Sequence, residues 1–300
     1  MESLGNALNS LDIGDAAGLS MNMPKMKSHK SFKDEEPADP TGEPEGPRTI
    51  ERTNFVEITK NSEGEEVLNG FLTLKEEVGR GAFCKVKRAV GTFEEEDGTK
   101  ETQVLGIKVY NKNNLKKQVV SYYDENGAIQ MKTALDQVLH SEIRIWEKFD
   151  HDYIVKIFEL FDDYESQHMY LIMQYSDLGQ IAYWDDQLKR FKRNEKVVER
   201  AFDVAEMKYF SPEQELSRQE LAAKHLFRQV AEAVDHMHNK MHVANRDIKL
   251  DNLLFLTDLD RVKLTDFTTA VEIPQGGSEP FLVKGREGTL LFESPESVQR

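Results

Sequence analysis

The sequence predicts an α+β fold whose first half is rich in strands and whose second half is helical. Strand character marks residues 71–78, 86–90, 105–109 and 169–173, each an apolar segment bounded by polar or glycine-containing stretches. A helix is predicted later, because Ser217 and Glu220 form a capping box and apolar residues follow at helical spacing up to Met237. Strands followed by helices, without regular alternation, indicate an α+β fold rather than a parallel α/β sheet.

Length and composition indicate one globular domain behind a polar tail. The chain has 300 residues, of which 39% are hydrophobic, and can bury a substantial core. Its net charge of −15 argues against nucleic acid as a partner, because phosphates repel an acidic surface. Cys84 is the single cysteine, so an internal disulfide is excluded and a reducing compartment is favoured.

The N-terminal region has the composition of a disordered segment. Residues 35–47 are acidic and rich in proline, so they bury little surface. We therefore predict a disordered polar tail over residues 1–55 and one domain over residues 56–300. No apolar run approaches the roughly 20 residues that span a bilayer, and no secretory leader is recognisable. The predicted location is cytoplasmic, with no membrane partner.

The most informative segment is Asn-Arg-Asp-Ile-Lys-Leu-Asp-Asn at residues 245–252, followed by Asp-Phe-Thr at 266–268. Phosphoryl transfer requires positioning, charge neutralisation and a base for the acceptor hydroxyl. Asp247 has the chemistry of such a base, and Lys249 is suited to steady the moving phosphate. Asn252 and Asp266 supply oxygen ligands for Mg²⁺. Taken alone, the 245–252 run has a second interpretation as a solvated turn between two strands.

Upstream segments favour the phosphoryl-transfer interpretation. Gly-Arg-Gly-Ala-Phe-Cys-Lys-Val at 79–86 lies between two predicted strands, where glycine lets backbone amides approach phosphate oxygens. Lys108 lies in the apolar run Leu-Gly-Ile-Lys-Val, and Glu142 lies in a helical pattern with one apolar side. Together these segments resemble the glycine loop, the paired lysine and glutamate, the catalytic loop and the metal-binding loop of protein kinases.

The resemblance implies a two-lobed protein kinase fold that binds ATP and Mg²⁺ between an antiparallel-sheet N-lobe and a helical C-lobe. It places the N-lobe at about 56–173, the hinge at 174–179 and a partial C-lobe at 180–300. Lys108 paired with Glu142 would position the phosphates. The nucleotide-binding residues that the resemblance implies are Val78, Gly79, Gly81, Phe83, Val86, Gly106, Lys108, Met173, Gln174, Ser176 and Leu254.

Two further segments indicate the substrate class. The catalytic-loop pattern, with Lys249 two residues after Asp247, resembles that of kinases that act on serine or threonine residues of proteins. Gly-Thr-Leu-Leu-Phe-Glu-Ser-Pro-Glu at 288–296 resembles the end of an activation segment, in which Thr289 would contact both residues. Residues 107–115, 140–143 and 150–155 look most like calcium/calmodulin-dependent protein kinase kinases. Another kinase as substrate and calmodulin as partner are implied by this resemblance only.

Three residues depart from the kinase pattern: Asn245 replaces a histidine, Thr268 replaces a glycine, and Cys84 replaces the third glycine of the loop. None of them removes a charge that the chemistry requires, so we expect an altered rate or regulation. The chain also ends at Arg300, so the C-lobe is expected to be truncated after the activation segment. Two function classes stay open: an active serine/threonine kinase, and a kinase-like nucleotide-binding scaffold with little transfer.

Two regions support further hypotheses. Residues 192–215 form a charged insertion, interpreted as a solvated loop with a docking arm as the alternative. Arg246 stands beside the predicted base, where kinases often receive a negative group from the activation segment. Phosphorylated Ser278 or unmodified Glu279 is the predicted partner of Arg246.

Overall fold

The computed structural model describes residues 49–94, 98–123, 128–209, 217–257, 260–274 and 288–295. The predicted tail up to residue 48, the Ser278 and Glu279 hypothesis and the last residue of the 288–296 motif lie outside the described residues. Within the described part, a strand-rich lobe precedes a helical lobe, as expected.

The first lobe is built on one large sheet. Its strands are β1 (Glu51–Thr53), β2 (Ile58–Lys60), β3 (Glu66–Leu68), β4 (Leu72–Arg80), β5 (Cys84–Glu94), β6 (Lys100–Asn111), β9 (Ile157–Phe161) and β10 (His168–Gln174). Between β6 and β9, the strands β7 (Val119–Tyr123) and β8 (Ile129–Thr133) form a separate hairpin. The sheet order is β1-β9-β10-β6-β5-β4-β3-β2, antiparallel throughout except for the parallel pair β1 and β9. The expected antiparallel N-lobe is confirmed.

The two faces of the sheet carry separate apolar clusters. Leu72, Phe93 and Ile107 belong to the cluster on one face. Because successive strand residues point to opposite faces, Lys108 projects to the other face, where Tyr110 joins the main core. Strand β1 begins shortly before the predicted domain boundary at residue 56, and Ile50 beside it is buried.

A composite helix crosses the main-core face of the sheet. After the short helix α1 (Lys112–Lys117), it begins as α2 (Ala134–Gln137), continues through a π-helical segment (Val138–Ile143) and ends as α3 (Arg144–Trp146). We call residues 134–146 the Glu142 helix. Its apolar side is buried as predicted, at Val138, Ile145 and Trp146.

The second lobe combines short strands with two long helices. Its strands are β11 (Gly179–Gln180), β12 (Ala182–Asp185), β13 (Arg190–Arg193), β14 (Val243–Ala244), β15 (Leu253–Leu256), β16 (Arg261–Leu264) and β17 (Val271–Glu272). The helices are α4 (Glu195–Tyr209) and α5 (Arg218–Asp235), and α5 is extended by a π-helical turn, His236–Lys240. Short 3₁₀ turns cover Leu250–Asn252 and Leu290–Phe292. The predicted capping box of α5 is formed, with both reciprocal bonds between Ser217 and Glu220.

The interpretation of residues 192–215 as a loop is wrong for most of this segment. Helix α4 occupies Glu195–Tyr209 and packs beside α5. Val197, Ala201 and Val204 are buried, at the spacing of one helix face. The many charges that suggested a solvated loop lie on the outer side of an amphipathic helix. None of the helices in the described ranges is long and apolar enough to cross a membrane.

Candidate active site

Lys108 and Glu142 meet in the interior between β6 and the Glu142 helix. Lys108 Nζ lies 2.7 Å from Glu142 Oε1, and both side chains are nearly fully buried. Tyr110, on the same face of β6, donates its hydroxyl to the same carboxylate oxygen at 3.3 Å. Lys108 Nζ also lies 4.6 Å from the centre of the Trp146 ring. Sequence order predicted this pair, and the structure brings it together.

The surroundings keep Lys108 charged and the side chains of Tyr110 and Cys84 neutral. Burial disfavours the charged form of Lys108, but the charge of Glu142, assisted by Cys84 and Asp266, outweighs burial and raises its pKa above the ordinary value. Burial, reinforced by Glu142, raises the pKa of Tyr110, so its hydroxyl remains a donor. Burial likewise raises the pKa of Cys84, which makes this thiol a poor nucleophile.

The glycine-containing segment forms the tight connection between β4 and β5. Gly81 N donates to Cys84 O at 2.9 Å, and Gly79 pairs with Val86 across the hairpin. A Cβ atom on Gly81 would lie 3.4 Å from Cys84 Sγ, which is an ordinary contact. The hairpin therefore brings the predicted residues of this loop together at one end of the sheet. These residues are Val78, Gly79, Gly81, Phe83 and Val86.

Strand β10 lies beside β6 and leads to the predicted hinge. Met173 pairs with Gly106, and a Cβ atom on Gly106 would lie 3.1 Å from Met173 Cε and 3.2 Å from Gln174 O. A small residue is therefore favoured at this position. Gln174 is held firmly, because its N–H donates to Lys156 O at 2.9 Å and its Oε1 accepts from Lys156 N at 3.0 Å.

Ser176 ties the hinge segment to the second lobe. Its hydroxyl donates to Phe255 O on β15 at 2.6 Å and accepts from Gly179 N at 3.1 Å. Leu254, the neighbour of Phe255, packs against the main core together with Phe83 and other residues of the glycine hairpin. The side chain of Ser176 thus serves the connection between the lobes.

Asp247 is the centre of a compact polar network. Its Oδ2 accepts from Lys249 Nζ at 2.7 Å, and its Oδ1 accepts from Thr289 Oγ1 at 2.7 Å. Lys249 Nζ also donates to Thr289 Oγ1 at 2.8 Å, and Asn252 Nδ2 donates to Asp247 O at 2.9 Å. Gly288 has φ +108°, and a Cβ there would lie 2.5 Å from the Arg246 carbonyl oxygen, so glycine is needed beside Thr289.

Asn245 links the two aspartate-bearing segments. Its Nδ2 donates to Asp266 O at 2.9 Å, and its Oδ1 accepts from Asp247 N at 3.0 Å. Asp266 has φ +68°, and its Oδ1 accepts from Thr268 N at 3.1 Å and from Thr268 Oγ1 at 2.7 Å. Phe267 is fully buried against Trp146, with ring centres 5.4 Å apart.

Asp266 is held in its ionised form. Burial raises the pKa of this carboxyl, but the charge of Lys108 and the hydrogen bonds from Thr268 outweigh burial, so the net pKa is lowered. A glycine hairpin, a buried lysine and glutamate pair, the Asp247 carboxylate with an adjacent lysine, and an ionised aspartate therefore lie in one region between the lobes. Residues 72–300 match the protein kinase domain.

The chain belongs to the protein kinase family. It is similar to a calcium/calmodulin-dependent protein kinase kinase of Caenorhabditis elegans, 26% identical over 84% of this chain and 41% of the relative. It is also similar to NUAK family SNF1-like kinase 1 of Homo sapiens, 28% identical over 65% of this chain and 21% of the relative. Serine/threonine-protein kinase GRIK1 of Arabidopsis thaliana is 25% identical over 82% of this chain and 50% of the relative. The chain thus spans half or less of the length of these relatives.

The residues of this kinase domain fit ATP with Mg²⁺ by the chemistry of their donors. Asp266 supplies a carboxylate and Asn252 an amide oxygen, which are the hard oxygen ligands that Mg²⁺ prefers. No group of three or more His, Cys, Asp or Glu side chains that could hold a metal occurs among the described residues.

Three residues of the kinase site were not predicted from the sequence. Tyr110 and Lys108 both donate to the Glu142 carboxylate. Because Tyr110 lies two residues after Lys108 on the same strand, strand alternation predicts that both side chains point to the same face. Gln137 Nε2 donates to Thr268 O at 2.5 Å and so links the Glu142 helix to the segment that carries Asp266. Thr269 Oγ1 donates to Asn245 O at 2.9 Å. The last two contacts join segments distant in sequence, so no local pattern marks them.

Proposed function

We propose that this chain is an ATP-dependent serine/threonine protein kinase with Asp247 as the base. The observation that carries the proposal is the network in which Lys249 and Thr289 both bond to the Asp247 carboxylate. This arrangement sets a base, a cation and a hydroxyl of the activation segment within hydrogen-bond reach of one another. The similarity to the serine/threonine-protein kinase GRIK1 supports the choice of acceptor.

The proposed step transfers the γ-phosphoryl group in line. The acceptor oxygen forms a new bond to phosphorus, the bond from phosphorus to the ADP oxygen breaks, and the acceptor proton goes to Asp247. Lys249 neutralises charge on the moving group and keeps the Asp247 carboxylate oriented. Thr289 donates to the other carboxylate oxygen, Oδ1. The acceptor hydroxyl would displace this hydrogen bond or share Oδ1 with it.

The N-lobe contribution is the orientation of ATP. Lys108, kept cationic and oriented by Glu142, would hold the first phosphates, and Gly79 and Gly81 let backbone amides approach the others. When Mg²⁺ is bound by Asn252 and Asp266, it supplies charge neutralisation on the phosphates. These site roles are part of the proposal.

The predictions of a kinase substrate and of calmodulin as a partner are based on resemblance alone. The similarity to a calcium/calmodulin-dependent protein kinase kinase favours another kinase as the substrate, and calmodulin as a partner follows from the same resemblance. Signalling and a cytoplasmic location are likewise proposed from the sequence. None of these predictions is needed for the chemistry assigned to Asp247.

A specific observation favours the second candidate, a nucleotide-binding module with little transfer. Thr268 occupies the position of a glycine, and two of its groups donate to Asp266 Oδ1. One oxygen of the predicted metal ligand is therefore already hydrogen-bonded, and the β-branched residue restricts movement of this loop. Mg²⁺ bound through Oδ1 would share this oxygen with both hydrogen bonds from Thr268.

A transfer assay with matched variants distinguishes the two candidates. The chain is incubated with Mg²⁺, labelled ATP and a generic serine/threonine protein acceptor, beside Asp247→Asn, Asp266→Ala and Asp251→Asn. We expect Asp247→Asn to lower turnover by roughly two to four orders of magnitude while ATP affinity changes little, because the base acts only in the chemical step. Asp251→Asn removes a nearby carboxylate from the same loop and should keep its activity.

The outcomes separate the candidates directly. Transfer that is lost in Asp247→Asn and Asp266→Ala but kept in Asp251→Asn supports the kinase. ATP binding without transfer in the unmodified chain supports the nucleotide-binding module. Equal loss of ATP affinity and turnover in Asp247→Asn would contradict the role of Asp247 as the base.

A further inference from the structure

The residues just before the matched kinase domain form part of the N-lobe sheet. The match begins at residue 72, whereas β1 (Glu51–Thr53) adds a parallel strand beside β9 at the sheet edge. Thr53 O accepts from Asp162 N at 3.0 Å, and the Thr53 hydroxyl donates to the Glu159 carboxylate. Ile50 is only 6% exposed. These contacts make β1 part of the N-lobe sheet.

Strand β1 also reaches the C-terminal end of the Glu142 helix. Arg52 Nη2 lies 2.9 Å from Glu147 Oε2, and the Glu147 side chain is only 12% exposed. Glu147 is the residue that directly follows the helix, and its N–H donates to Ile143 O at 2.9 Å. Ile50 belongs to the same buried apolar cluster as Trp146. An ion pair therefore joins β1 to this helix end, and Ile50, the residue before β1, lies in the apolar cluster that contains Trp146.

The Glu142 helix has a reason to need support at its ends. Glu142 lies within the π-helical segment Val138–Ile143, where the wider turn sets the direction of the carboxylate toward Lys108. π-Helical segments are rare and less favourable than α-helix, and they occur often at functional sites. A return to α-helical winding would rotate Glu142 about the helix axis. The N-terminal end is held by the bond from Gln137 to Thr268 O, so β1 supplies the support at the other end.

We propose that β1 and the residue before it, Ile50, form a positioning element of the kinase site, in which Arg52 and Ile50 hold the end of the Glu142 helix and thereby keep Glu142 paired with Lys108. The role of the pair in ATP binding rests on the proposed function, whereas the hold on the helix does not. Arg52 and Ile50 are positioning residues, because they act through the helix and touch no reacting group.

The test uses charge reversal at the β1 contact in the full chain. The variants are Arg52→Glu, Glu147→Arg and the double variant that restores opposite charges. Lys75→Glu is the matched control, because Lys75 on β4 forms an ion pair of 2.7 Å with Glu65, just before β3, towards the opposite edge of the same sheet. The readouts are the KM for ATP, kcat, the thermal unfolding midpoint, and deuterium uptake by amides of residues 134–147 compared with those of α5.

We expect Arg52→Glu to raise deuterium uptake in residues 134–147 and leave α5 unchanged. The KM for ATP should rise by about two- to fivefold, which is the range that one partly exposed ion pair supports. The double variant should return uptake and KM toward those of the unmodified chain. Lys75→Glu should leave both readouts unchanged. Ile50→Asp should give a larger rise in uptake, because it places a charge in the buried cluster.

Two results would overturn the proposal. One is equal deuterium uptake in residues 134–147 for Arg52→Glu and Lys75→Glu, and the other is no recovery in the double variant. A chain that transfers no phosphate contradicts the proposed function instead, and deuterium uptake then decides the role of β1. If Ile50→Asp unfolds the whole chain, deuterium uptake rises in α5 as well. The comparison of Arg52→Glu and Glu147→Arg with the double variant then tests the role of β1.

Discussion

Asn245 shows how one side chain organises the chemistry of the site. Its amide nitrogen holds the Asp266 carbonyl and its amide oxygen holds the Asp247 N–H, while the residue itself is 1% exposed. The expected histidine would present ring nitrogens in this position. The shorter carboxamide offers one donor and one acceptor that both find partners, so the substitution leaves the two aspartate segments connected.

We expect Asn245→Ala to lower both stability and turnover. It removes two hydrogen bonds and leaves buried backbone groups without them, which costs about 1–3 kcal/mol of unfolding free energy. Misplacement of Asp247 and Asp266 should lower kcat by about ten- to a hundredfold. Urea unfolding and steady-state kinetics measure the two effects. Asn194→Ala is the control, because the Asn194 side chain also makes two bonds to the backbone, donating to Leu178 O and Gln180 O, but lies just after β13 and should affect stability alone. An unchanged kcat in Asn245→Ala would contradict the bridging role.

At the scale of elements, the edge formed by β1 and β9 contains a carboxyl group with an unusual pKa. Burial raises the pKa of Glu159 to about 7, although the hydrogen bond from Thr53 opposes the shift, and Glu51 adds to it. The folded chain therefore binds this proton more tightly than the unfolded chain. The stabilisation is fully present below the ordinary value of 4.5 and is lost as the pH rises through about 7.

Glu159→Gln should remove this pH dependence. The neutral amide avoids the cost of ionising a buried group, so the variant should be more stable than the unmodified chain at pH 8, by at most about 3 kcal/mol. At pH 5 the two should be nearly equal. Thermal unfolding midpoints at both pH values test this, with Glu94→Gln at an exposed strand end as the control. A stability difference that is the same at pH 5 and pH 8 would show that ionisation of Glu159 is not its cause.

At the scale of the whole molecule, the site depends on contacts that cross between the lobes. The main apolar cluster includes Tyr110 from the N-lobe sheet and Phe255 from the second lobe. Ser176 bonds to Phe255 O, and Gln137 bonds to Thr268 O, so the hinge and the Glu142 helix are both tied across the interface. A ligand bound between the lobes would therefore stabilise both.

ATP with Mg²⁺ should raise the thermal unfolding midpoint of the whole chain. At a concentration of one hundred times Kd, a ligand that binds only the folded state adds about 2.7 kcal/mol, which shifts the midpoint by several degrees. Lys108→Met should abolish most of this shift, whereas Lys75→Met, on β4 towards the other edge of the sheet, should keep it. Scanning fluorimetry with and without nucleotide gives the difference. A shift of equal size in Lys108→Met would mean that the lysine does not hold the nucleotide.

Local sequence patterns predicted much of the candidate site. The segments around Lys108, Asp247 and Asp266 were predicted in position and order, because strand alternation and loop motifs depend on near neighbours. The capping box at Ser217 was predicted for the same reason and is confirmed. The prediction of a loop over residues 192–215 was wrong for most of the segment. The many charged residues indicated a solvated loop, whereas the apolar face of α4 is recognised only from its packing against α5.

The sequence alone predicted the strand-then-helix order, the chemical groups of the candidate site and the pairing between Lys108 and Glu142. Tertiary structure decided how those groups are held. The π-helical turn around Glu142, the bond from Gln137 to the Thr268 carbonyl and the contact of Arg52 with Glu147 all join distant segments. Such contacts depend on the register of the sheet and on the packing of the whole core. A local pattern contains no information on either, so these features emerge only when the chain is folded.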